Sequence, residues 1–194
     1  MTPTNLAVLI AAVLLAFFLR HQFTRPAETG PANATLLIIR HAEKPPPENG
    51  QTGLSPAGEI RAQKYAGYFR TAALNDKPID VLIATADTAR SARPRLTLEP
   101  LSAATGLKIQ QPFTDDEVKD LARWLKDNAS NHTALISWHH GKLPKLLRRL
   151  GADPAELLPG GEWPDDVFDW VIKLTYDGSG GLTEARRIVE PAFP

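Results

Sequence analysis

Thr35-Leu36-Leu37-Ile38-Ile39-Arg40-His41-Ala42-Glu43-Lys44 decides how this chain folds. Residues 35–39 form a short, continuous apolar run with no polar alternation, as in a strand covered on both faces of a parallel sheet. Charged and titratable side chains follow without a spacer, so the strand delivers Arg40 and His41 directly at its carboxyl end. In an open α/β sheet that end borders the ligand crevice.

Downstream, helix-like and strand-like segments alternate, the pattern of a sheet layered between helices. Ser55-Pro56-Ala57-Gly58-Glu59 offers a cap, a proline at the first helical position and an early carboxylate, and predicts a helix to about Arg70. Residues 79–84 read as the second strand. A helix over 93–105 closes at Gly106, a third strand covers 107–111, and Thr114 caps a helix reaching about Asn128. Residues 133–138 give the fourth strand, and residues 143–150 a helix stopped by Gly151. Two late strands, 167–176 and 185–189, flank the turn-forming Asp177-Gly178-Ser179-Gly180-Gly181 and predict a hairpin. The expected architecture is a three-layer α/β/α sandwich with a mostly parallel central sheet.

Upstream, Leu6 to Leu19 is unbroken apolar sequence without a charge. As a helix it spans about 21 Å against about 30 Å of hydrocarbon, short for a membrane crossing but workable. It has no basic residue before it, and Phe18-Leu19-Arg20 does not make a small-x-small cleavage site, so we expect an uncleaved single-span anchor; a signal segment cleaved to give a secreted form and a buried first helix of the domain are the alternatives. Arg20 and Arg25 follow the run and favour a cytoplasmic side by the positive-inside tendency. Residues 1–19 are thus the hydrophobic anchor or signal segment, residues 20–33 a linker and residues 34–194 one globular domain.

Composition narrows the chemistry. The 194 residues carry 22 Lys+Arg and 22 Asp+Glu, so no broad basic face for nucleic acid is expected. The absence of cysteine removes thiolate nucleophiles, disulfides, iron–sulfur clusters and cysteine-ligated zinc. Anion recognition must therefore be local. Three cationic clusters stand just after strands: Arg40-His41, Arg90 to Arg95, and His139-His140-Gly141-Lys142. Guanidinium forks match phosphate oxygens bidentately, so a phosphate dianion suits a rim where these clusters meet.

At these residues the chain resembles the histidine phosphatase superfamily, which includes phosphoglycerate mutases and acid phosphatases. The resemblance covers about residues 34–150. Arg40-His41 matches the defining pair after the first strand, with Ala42 in place of the usual glycine and Glu43 at a common acidic position. Leu54-Ser55-Pro56-Ala57-Gly58 resembles the family's Leu-Thr/Ser-x-x-Gly helix start. Arg93, followed by Thr97 and by Thr105-Gly106-Leu107, resembles the second-arginine helix and selects Arg93 over Arg90. Leu135-Ile136-Ser137-Trp138-His139-His140-Gly141 resembles the strand-His-Gly motif.

The resemblance implies a cofactor-independent, metal-free phosphomonoester hydrolase working through a phosphohistidine on His41. Arg40 and Arg93 would bind the phosphoryl oxygens and lower the His41 pKa. A second histidine would donate to the phosphoryl group. His140, next to Gly141, is preferred as the catalytic one, with His139 as a substrate-binding alternative, since adjacent side chains on a continuing strand point opposite ways. Glu43 is one candidate proton donor; Asp115, Asp116 and Glu117 are others, although carboxylates in a first helical turn also serve the helix dipole. Trp163-Pro164-Asp165-Asp166 reads as structural. Two other classes stay open: a phospho-ligand-binding module that has lost turnover, and a metallohydrolase using His41, Glu43, His139 and His140.

Overall fold

The computed structural model describes residues 29–46, 52–71 and 77–190. The apolar segment 1–19 and most of the linker lie outside the described residues. Among the described residues, no helix is long and apolar enough to cross a membrane.

Six strands form one sheet in the order β3-β2-β4-β1-β5-β6: β1 Thr35–Arg40, β2 Val81–Ala84, β3 Ile109–Gln110, β4 Thr133–Trp138, β5 Trp170–Tyr176 and β6 Leu182–Val189. β1 to β4 are parallel where they pair, whereas β5 runs antiparallel to β1 and to β6. The sheet is therefore mixed, because the late strands join as an antiparallel hairpin. Asp177 Oδ1 accepts from the amides of Ser179 and Gly181 (2.8 and 2.9 Å), and Gly180 turns with φ 78°.

The apolar runs of β1 and β4 are buried at every position because both faces of the sheet are covered. Helices α1 (Pro56–Thr71) and α2 (Arg93–Thr105) pack Tyr65, Phe69, Leu98 and Leu101 onto Leu37, Ile39, Leu82 and Leu135. On the opposite face, α3 (Val118–Asn128), α4 (Leu143–Arg149) and the short α5 (Pro154–Leu157) cover Leu36, Ile38, Ala134 and Ile136. The three-layer expectation holds.

Several strand ends differ from the sequence reading by two or three residues, and three further differences have a visible cause. α3 starts at Val118 because the Glu117 carboxylate accepts from both the amide and the hydroxyl of Thr114 (2.8 and 2.7 Å), which holds residues 114–117 in a turn. The α5 turn was not anticipated, although Asp153-Pro154 signals it: the Asp153 carboxylate accepts from Ala155 N at 2.9 Å. Residues 30–33, assigned above to the linker, are bound to the domain. Gly30 N donates to Gly180 O and Asn33 N to Asp177 O, both at 2.8 Å, and Gly30 passes so close to the Tyr176 ring that a Cβ there would collide with it.

Candidate active site

β1 and β4 are adjacent and in register, with Ile39 opposite Ser137 and Arg40 opposite Trp138. One residue further, His41 and His139 leave the two strands on the same side. Their rings meet edge to face, 5.0 Å between centroids. After His139, whose backbone is still extended, the chain turns into a 3-10 helix over His140–Lys142. His140 is thereby carried away from His41, and its Nε2 contacts Asp165 Oδ1 at 2.6 Å. The sequence reading gave His140 the catalytic place and His139 the supporting one; the structure sets His139 against His41 and His140 on Asp165.

His41 is 3% exposed. Its Nδ1 lies 2.7 Å from Ala42 O, and a carbonyl oxygen only accepts, so Nδ1 carries the hydrogen and Nε2 keeps a lone pair. The imidazole pKa is pushed down to about 3, chiefly by burial, with further lowering from His139, Arg40 and Arg93 and an opposing pull from the Ala42 hydrogen bond. The sequence reading credited the arginines with this depression; loss of water around the ring is the larger cause. The His139 pKa falls to about 4, again mainly through burial, with Asp115 opposing and Arg93 assisting. Both rings are neutral at neutral pH.

Arg40 is 1% exposed, a guanidinium within the protein body. Its Nη1 donates to the carbonyls of Pro164, Asp165 and Val167 at 3.1, 2.6 and 3.1 Å, and its face lies 3.8 Å from the centre of the Phe168 ring. Burial lowers its pKa to about 10, with Asp165, Glu43 and Asp166 opposing, so it stays cationic. Among the described residues no acceptor reaches its buried Nε.

Arg93 opens α2, and its charge acts on His41, His139 and Arg40. One hydroxyl links it to the peptide after His41: Thr97 Oγ1 accepts from Ala42 N and donates to Arg93 O, both at 2.8 Å. The other arginines of the cluster do not join it. Arg95 binds Asp87 at 2.8 Å and also pairs with Glu99, and Arg90 is exposed.

Glu43, considered above as a proton donor, is held by Arg61. Its Oε1 receives Arg61 Nε and Nη2 at 2.8 and 2.7 Å, so the carboxylate is committed to that guanidinium. Its backbone is equally engaged: Glu43 O accepts from Ser55 N at 2.9 Å and lies only 2.4 Å from where a Cβ on Gly58 would sit. Gly58 is therefore glycine because the loop after β1 crosses the first turn of α1 there. Ser55 caps that turn, its hydroxyl accepting from Gly58 N at 3.1 Å.

Of the other carboxylates, Asp115 is the one whose charge acts on His139, and its carbonyl accepts from Trp138 Nε1 at 3.2 Å. Asp116 pairs with Lys142, and Glu117 is occupied by Thr114. The Trp163-Pro164-Asp165-Asp166 run, read as structural, and Val167 after it supply the carbonyls around Arg40. Backbone oxygens leave no mark in a sequence, and the Trp-Pro-Asp-Asp run was the available signal. Among the described residues no group of three or more His, Cys, Asp or Glu side chains is arranged to hold a metal ion; Glu43 is held by Arg61 and His41 Nδ1 by Ala42 O.

Comparison with known proteins places this arrangement in a recognisable fold. No family model matches the chain, and no curated protein matches it. Among solved structures, the fold is shared with histidine phosphatase superfamily members. A putative phosphohistidine phosphatase SixA from Agrobacterium tumefaciens aligns with a TM-score of 0.53 at 15% identity, over 74% of this chain and 92% of that one. The protein histidine phosphatase SixA complexed with tungstate aligns at 0.53 and 17%, over 80% and 96%. A phosphoglycerate mutase from Bacillus anthracis str. Sterne aligns at 0.52 and 12%, over 85% and 94%.

Proposed function

We propose that the chain is a phosphomonoester hydrolase that forms a phosphohistidine on His41. The observation that carries this reading is the state of His41: a buried neutral imidazole, Nδ1 committed to Ala42 O and Nε2 unprotonated, beside two arginines and a second histidine. The fold it shares with SixA, a protein solved with the phosphate-like oxyanion tungstate, supports it.

In the first step the Nε2 lone pair attacks phosphorus, the bond from phosphorus to the ester oxygen breaks, and the leaving oxygen takes a proton. Asp115, beside His139, is the donor we assign. Arg40 Nε and Arg93 neutralise the equatorial oxygens, while the N–H of neutral His139 donates to one of them. Water then attacks phosphorus while the Asp115 carboxylate takes its proton, the N–P bond breaks, and phosphate leaves with His41 and Asp115 restored. One hard displacement becomes two easier ones. No metal or cofactor takes part in this scheme. Brief incubation with a radiolabelled phosphomonoester tests it. Acid-labile, base-stable label on wild type, absent from His41→Ala, is expected; turnover with label on another residue overturns it.

The alternative of a binding module rests on Ala42 at the usual glycine position and on Glu43 being held by Arg61. Saturable phosphate binding without release of nitrophenol from p-nitrophenyl phosphate would establish it.

The same proposal includes the N-terminal tether: Leu6 to Leu19 anchors the domain in a bilayer. Retention of the full chain in membranes after an alkaline carbonate wash is the expected result, and release into the supernatant overturns the anchor alone.

A further inference from the structure

The Trp163 to Phe168 loop turns four carbonyls toward side-chain donors. Three of them face Arg40 Nη1, and a fourth, Phe168 O, accepts from the buried Tyr65 hydroxyl at 2.6 Å. Trp163 Nε1 adds a bond within the loop, to Val167 O at 2.9 Å. An Nη nitrogen has two hydrogens, so three acceptors around it, with a phenyl ring against the guanidinium face, define both the position and the plane of the group. Arg40 Nε and Nη2, the donors that these contacts leave over, keep a fixed direction only while the loop keeps its shape.

What joins this loop to the end of β4 is a side-chain contact, His140 Nε2 to Asp165 Oδ1 at 2.6 Å. The Asp165 carboxylate is 90% exposed, so it fills no space in the interior, and its backbone carbonyl makes the shortest of the three bonds to Arg40. The same residue therefore holds the pocket arginine with its main chain and His140 with its side chain.

We propose that His140 and Asp165 are positioning residues: their contact clasps the Trp163 to Phe168 loop to β4 and so aims Arg40 at the phosphoryl group. The proposal rests on the phosphatase reading above. It assigns His140 a role distinct from that of His139, which faces His41.

The test compares Asp165→Ala, Asp165→Asn, His140→Ala and the double variant His140→Ala/Asp165→Ala in the full chain, with Asp166→Ala as the neighbouring control. The readouts are kcat and KM for p-nitrophenyl phosphate, the inhibition constant of inorganic phosphate, and amide hydrogen exchange over residues 165–168. Asp165→Ala is expected to weaken phosphate about tenfold, with KM rising in step and kcat changing less, and to speed loop exchange by a similar factor. Asp165→Asn, which keeps an oxygen acceptor for His140, restores phosphate affinity to within about twofold, and the double variant is no worse than either single one. Wild-type phosphate affinity and wild-type exchange in Asp165→Ala overturn the clasp and leave the phosphatase reading intact. His140→Ala that abolishes kcat at unchanged phosphate affinity also overturns it, by making His140 a catalytic group. A wild-type chain with neither turnover nor phosphate affinity removes the phosphatase reading, and the clasp with it.

Discussion

His41 and His132 stand at opposite ends of the same pair of neighbouring strands, and their fates differ. His132, just before β4, keeps 46% of its side chain in solvent and rests its Nδ1 on Asp80 at 2.8 Å, an ordinary surface pair. His41, just after β1, is 3% exposed, and its ring donates to a neutral carbonyl. One imidazole faces water and a carboxylate; the other is buried beside arginines and a second ring, the setting on which the proposed nucleophile role rests. The sheet thus has a chemical end and a structural end, although both carry a histidine.

The largest expected effect breaks that contrast directly. His41→Ala should bring phosphatase turnover to the uncatalysed background with the circular dichroism spectrum unchanged, whereas His132→Ala should stay within about twofold of wild type, because its site lacks the arginines that stabilise transferring charge. Equal losses in the two variants would end the distinction. Arg93→Ala should then cost at least about 3 kcal/mol of transition-state stabilisation, measured as kcat/KM, and far more than Arg90→Ala.

Acid stability sharpens the same comparison. The His41 pKa in the folded protein, about 3, lies below the ordinary value of 6.5, so between these values the unfolded chain binds more protons. Stability therefore rises with pH across this window and is lost on acidification, by about 1.4 kcal/mol per pH unit from this one group. Urea unfolding at a series of pH values should show the slope in wild type and a shallower one in His41→Gln.

Smaller effects come from two glycines of α1. Gly58→Ala forces a Cβ against Glu43 O and should destabilise by about 2 kcal/mol, whereas Gly67→Ala, with open space around it, should stabilise by about 0.5–1 kcal/mol through helix propensity. Thermal unfolding of both variants checks the pair. Asp80→Ala, at the structural end, should lose about 1 kcal/mol or less.

The sequence carried more of the frame than of the pocket. α2 and β4 match their predicted bounds because local chemistry sets them: Pro94 near the start of α2, Gly106 in the left-handed region at its end, and an apolar run between polar flanks for β4. The places of Arg40, His41 and Arg93 at element ends were likewise legible, since each follows or opens an element whose end is marked. The order of His139 and His140 was not, because it depends on the register between β1 and β4 and on where the chain departs from the strand. Nor was the carbonyl setting of Arg40, which main-chain atoms of a distant loop create. Glu43 was legible as a polar position but not as a partner of Arg61, a residue on another element.

Thr97 has a consequence for how changes in the pocket combine. Because one hydroxyl oxygen ties the peptide after His41 to the first turn of α2, His41 and Arg93 share a common mount. A disturbance entering through either arm is transmitted to the other, so substitutions around Ala42 and around Arg93 will be epistatic, and replacing Thr97 with valine would let the two drift apart while every group that meets the substrate remained in the chain.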